Sequence, residues 1–205
     1  MRAHLVGGWA LGALLLAGSC PAEGQAVVDE RRALSSTTVA GVPGTMVLER
    51  NADGSVLVDW SMAGTQGWMA FGLGTGMVGA KVVGGTPEFV SEFSISSKVV
   101  TGIKPSGCSN AIKDASYGVV SGKTTLRFTS KSICKKAFPL GTYNSTFSIV
   151  WASKDTSGWG KHVEAGVTTV KLPWCGAIKG KGAAAKCKAG TGGQCEWKSG
   201  KCVAK

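Results

Sequence analysis

The sequence is short of the residues that most chemistry needs. It has two histidines, His4 and His162, and twelve acids against 23 Lys plus Arg. Beyond residue 24 no stretch approaches the roughly 20 apolar residues of a membrane-crossing helix. Sustained 3.6-residue periodicity is absent, which excludes a helical bundle. No Gly-x-Ser-x-Gly elbow occurs, and a Ser-His-Asp triad would have to use His162. A His-rich copper or zinc site lacks ligands, and the cysteines contain no Cys-x-x-Cys pair for zinc. No nucleic-acid recognition motif is present.

What is abundant is glycine (31 residues), with seven tryptophans and seven cysteines. Residues 1–24 read as a secretory signal peptide. Arg2 supplies the charge, Leu5 to Ala17 the apolar region, and Ala17, Ser19, Ala22 and Gly24 the small residues. Cleavage after Ser19, Gly24 or Ala26 fits equally well. Cys20 would leave with it or lie beside the cut, and Ala17-Gly18-Ser19 lacks the Leu of a lipoprotein signal. Six cysteines then remain, an even set that predicts disulfides in an oxidising, extracellular or cell-wall setting. Asn144-Ser145-Thr146 is a glycosylation sequon that fits the same route.

Residues 25–44 read as a leader or linker, with Val27 to Thr38 a polar terminus carrying Arg31-Arg32. From Thr45 to Pro173 the pattern is short strands punctuated by glycine and small polar residues. In Ser55 to Met62, Val56, Val58, Trp60 and Met62 alternate onto one face, after the turn signal Asn51-Ala52-Asp53-Gly54. About nine such segments predict an all-β fold, an antiparallel sandwich of two sheets. Trp60, Trp68, Phe71, Phe147 and Trp151 are candidates for its core. Cys108 and Cys134 flank the middle strands, and a bridge between them would contribute about 3 kcal/mol.

Residues 174–205 differ. They carry Cys175, Cys187, Cys195 and Cys202, seven lysines, one acid (Glu196) and little apolar material. Such an appendage holds its shape only through two disulfides, and three pairings are possible. Its charge favours an acidic cell-wall or matrix polysaccharide, or another anionic surface, as partner.

Two clusters stand out. Gly67-Trp68-Met69-Ala70-Phe71-Gly72-Leu73 runs into Gly74-Thr75-Gly76-Met77-Val78-Gly79-Ala80, a strand that breaks at glycines and delivers Met77 at a bend. Phe147-Ser148-Ile149-Val150-Trp151-Ala152 is followed by His162. A methionine there is either core filler or a soft ligand. His162 is either a surface residue of the polar loop Lys154 to Lys161 or a ligand. Met62 and Met69 are rival thioethers.

Both clusters resemble the DOMON family, whose members read Trp-x-Ala-x-Gly, then Met-x-Gly, and later an apolar strand near Trp-Ala before a His. The resemblance spans about Val39 to Leu172. It implies an immunoglobulin-like β-sandwich. One branch, including the cytochrome domain of cellobiose dehydrogenase and plant secreted b-type cytochromes, binds haem b between a Met and a His. Another branch need not bind haem, and sugar binding has been proposed across the family. Carried over, the resemblance makes Met77 and His162 axial ligands of haem iron, with Trp68, Phe71, Trp151 and Trp159 as candidate slot walls. Lys154 and Lys161 could pair with propionates. Without Cys-x-x-Cys-His the haem would be held noncovalently. With both axial positions filled, the expected role is one-electron transfer between separate donor and acceptor molecules, without a catalytic site of its own. A haem-free extracellular carbohydrate-binding module is the alternative expectation.

Overall fold

The computed structural model describes residues 33–204, apart from 52, 99–102, 105–107, 109–110, 142–143, 157, 174 and 190–194. The signal-peptide expectation and the cysteine at position 20 lie outside the described residues. So does the side chain of Asn144, the first residue of a strand.

Strands are numbered in chain order. One sheet runs β1 (Ala33–Thr38), β2 (Thr45–Asn51), β3 (Val56–Ala63), β9 (Lys123–Ser130) and β8 (Lys113–Val120). The other runs β13 (Glu164–Pro173), β12 (Asn144–Lys154), β4 (Trp68–Leu73), β5 (Lys81–Gly85), β6 (Val90–Ile95) and β7 (Ile103–Lys104). Pairing within both is antiparallel throughout, as the alternating sequence predicts. A two-stranded ribbon, β10 (Ser132–Ile133) with β11 (Lys136–Ala137), stands apart.

Side-chain alternation assembles the core. Met46 and Leu48 of β2, Val56, Val58 and Trp60 of β3, and Leu126 and Phe128 of β9 turn inward from the first sheet. Met69, Phe71 and Leu73 of β4, with Phe147 and Ile149 of β12, meet them from the second. Burying each such side chain contributes roughly 2–3 kcal/mol. The turn before β3 is fixed locally: Gly54 takes φ +84°, and Asp53 Oδ1 accepts from the Ser55 N–H at 2.9 Å.

Two expectations need correction. The reading of 25–44 as a leader fails at its second half, because Ala33–Thr38 is strand β1, paired to β2, and Val39 is buried in the core. The sandwich therefore begins at Ala33, not Thr45. An edge strand is held by backbone hydrogen bonds on one side and need not carry an apolar face, so its polar sequence gave no signal. The count of nine strands likewise omitted β1 and the two-residue β7, β10 and β11.

The Cys108–Cys134 bridge is present. After β13 the chain forms a small knob beside β1: a 3-10 turn (Cys175–Ala177), helix α1 (Ala183–Ala189), and a ribbon of β14 (Cys195–Lys198) with β15 (Lys201–Ala204). Its pairing is Cys175–Cys195 and Cys187–Cys202. The four buried cysteines, with Ile178 and Trp197 against them, replace a hydrocarbon core.

Candidate functional site

β4 is buried on both faces. Its inward residues fill the sandwich. Its outward residues, Trp68 and Ala70, form the floor of a cleft on the outer surface of the six-stranded sheet. Cross-strand pairing continues that floor. Ala152 lies opposite Ala70, and Val150 lies opposite Gly72. Val82 of β5 and Ile95 of β6 extend it on one side, and Ala165 and Val167 of β13 on the other. The cleft measures about 220 Å³ and is lined almost wholly by apolar side chains.

Two loops close over this floor. The loop after β4 carries Met77. Gly79 bends it with φ +83°, and its N–H donates to the Ile95 carbonyl at 2.7 Å, tying the loop to β6. The loop after β12 carries Trp159 and His162 and returns to the sheet where the Val163 N–H donates to the Ser153 carbonyl at 3.0 Å. Met77 and His162 both line the cleft. Met77 also packs against the apolar cluster of Ala80, Val82, Phe93, Ile95 and Val150.

Trp159 closes one flank. Its ring centroid lies 5.1 Å from that of Trp68 and 5.1 Å from that of Phe93. The indole rests on the sheet above Gly84, where any Cβ would collide with it. Glycine at 84 is thus a condition for Trp159 to approach the sheet this closely. Gly166 does the same for the Trp151 indole, which a Cβ would meet at 2.5 Å.

Of the candidate site residues, Met77, His162, Trp68 and Trp159 line the cleft with their side chains. Trp151 borders it but, being opposite Phe71, turns its indole to Trp60 and the inter-sheet core. Phe71 does not. It is one residue out of phase with Trp68 and Ala70, points inward, and stands 5.9 Å from Phe128 and 6.4 Å from Phe138 by ring centroid. The period-two rule would have excluded it, given Trp68 as a floor residue. The same rule disposes of Met62 and Met69, both buried in the inter-sheet core. Sequence reasoning did not reach the small and branched floor residues Ala70, Val82, Val150 and Ala152. Their signal was their phase relative to Trp68. Lys154 is half-buried beside Gly160 at the rim, and Lys161 is exposed.

The rim is unusually apolar. Val78, Phe89, Val163 and Val167 are among the few large hydrophobic residues left exposed, and each is in or next to a cleft element. One other group of metal-ligating types exists among the described residues: Glu92, Cys108 and Cys134. Its sulfurs are joined in a disulfide and so offer no thiolate. Glu92 Oε1 instead accepts from the Cys134 N–H at 3.0 Å.

No protein-family profile matches the chain, and no curated protein matches it significantly.

Proposed function

We propose that the cleft holds haem b noncovalently, with Met77 and His162 as the two axial ligands, and that the protein passes single electrons between separate partner molecules. One observation carries this reading. The thioether and the imidazole picked out by the DOMON resemblance line one apolar cleft, although they are far apart in sequence. The donor set suits iron that stays in place while changing oxidation state, because a soft thioether favours the ferrous form. Apolar walls suit a macrocycle. At about 220 Å³ the cleft is below the roughly 300 Å³ at which enclosed small-molecule sites begin. A haem would therefore be only partly enclosed by it.

Bound haem would supply one reversible electron at iron. The chain's own residues do the rest. Met77 and His162 would hold the iron, one through a thioether and the other through an imidazole. Trp68 and Trp159 exclude water from one flank. Lys154, at the rim, offers a cation to a propionate. The three disulfides support an extracellular or cell-wall location. Glycosylation at Asn144 belongs to the same proposal.

Titrating haem into the purified protein tests the reading. It predicts saturation at one equivalent with a sharp Soret band. A folded protein that takes up no haem in excess would leave the carbohydrate-binding alternative, with the Trp68–Trp159 pair as a stacking surface.

A further inference from the structure

We infer that the C-terminal knob is a docking surface for acidic polysaccharide. The inference is independent of the haem reading and stands or falls separately.

Residues 174–205 hold seven lysines and one acid in 32 residues, which is more than half of the chain's formal +11. Lys179, Lys181, Lys186, Lys198 and Lys201 are all exposed. Among the described residues, no ion pair engages them. The charges are not on a floppy tail. Lys198 and Lys201 face each other across the β14–β15 ribbon, and the Cys175–Cys195 and Cys187–Cys202 bridges pin that ribbon to α1 and the 3-10 turn. Like charges held this close repel one another, a cost that an anionic partner removes.

The chemistry selects among polyanions. A membrane-binding surface needs exposed apolar residues that enter the headgroup layer. The knob exposes no large hydrophobic residue among those described, and Trp197 is turned into the cysteine cluster. Paired phosphates favour the bidentate fork of arginine, and the knob contains no arginine. Hydrated ammonium groups suit carboxylates or sulfates spaced along a flexible sugar chain.

The placement also leaves the cleft free. The cleft takes Ala165 to Val167 at the start of β13, and the knob follows Pro173 at its end. Six strand residues put about 20 Å between them. A tethered molecule would keep its cleft open.

The test uses the full chain on immobilised polygalacturonate. The knob variant Lys179→Gln/Lys181→Gln/Lys198→Gln/Lys201→Gln changes exposed side chains only and leaves every cysteine in place. It should bind more than about tenfold weaker, with a shallower dependence on salt, because four ionic contacts are lost. A sandwich variant with the same charge loss, Lys98→Gln/Lys113→Gln/Lys123→Gln/Lys135→Gln, all at exposed positions, should lose far less. Soluble polygalacturonate should release the parent protein, and neutral dextran should not. The proposal is overturned if the knob variant binds like the parent, or if the sandwich variant loses as much. It is equally overturned if vesicles of equimolar phosphatidylserine and phosphatidylcholine outcompete the polysaccharide.

Discussion

Met77 and His162 enter one cleft from opposite ends of a strand pair. β4 and β12 are antiparallel, with Trp68 opposite Lys154 and Leu73 opposite Ile149. The loop leaving β4 therefore starts at one end of the pair, and the loop leaving β12 starts at the other. Each folds back over the same outward face. A thioether and an imidazole thus reach one cleft from its two ends. A hairpin between neighbouring strands could not supply this, since both side chains would then come from one end.

The two methionines near the motif should separate in their effects. Met69 is fully buried in the core, so Met69→Ala should cost about 2–5 kcal/mol in denaturant unfolding. Met77 is only partly buried on a loop, and Met77→Ala should cost under about 1 kcal/mol without haem. With haem the order should reverse for the spectrum: Met77→Ala changes it, and Met69→Ala leaves it unless the fold is lost.

The seat of Trp159 gives a second prediction. Gly84→Ala forces a Cβ into the indole and should destabilise by about 1–3 kcal/mol. In a Trp159→Ala background the same change should cost much less. A coupling energy near zero in this double-mutant cycle would mean that Trp159 does not rest on Gly84 in solution.

Alkaline stability should report on Tyr117. Its O–H donates to the Gln66 carbonyl at 2.6 Å, and burial pushes its pKa up to about 12. In the unfolded chain a tyrosine ionises near 10. Below pH 10 both states keep the proton and stability is unaffected. Between about 10 and 12 the unfolded chain has lost the proton while the native one retains it, so stability falls as pH rises. Tyr117→Phe should flatten that alkaline limb, at a cost of about 1 kcal/mol at neutral pH for the lost hydrogen bond. An unchanged limb in the variant would assign the alkaline loss to other groups.

Most of the sandwich could be read from the chain, because period-two alternation in segments such as Val56 to Met62 is how a half-buried strand announces itself. β1 could not, since Ala33-Leu34-Ser35-Ser36-Thr37-Thr38 is held by its backbone and shows no apolar phase. Within the site, Met77, Trp68 and His162 were legible from the motif. Phe71 was misassigned because a motif conveys neighbourhood and not facing. β4, buried on both sides, has no polar face to mark which residues look outward. Gly84 and Gly166 could not be read at all. Their importance lies in what tryptophans from distant loops and neighbouring strands rest on them. The knob's disulfide pairing was open among three choices until the ribbon brought Cys195 and Cys202 beside different partners.

The most direct test of the central claim is the absorption spectrum of the haem-supplied protein, oxidised and then reduced with dithionite, for the parent beside Met77→Ala and His162→Ala. The account predicts a six-coordinate low-spin spectrum with resolved α and β bands on reduction in the parent. It predicts loss of that pattern in each variant while the variants remain folded. A parent spectrum without those bands, or folded variants that both retain them, would contradict ligation by Met77 and His162.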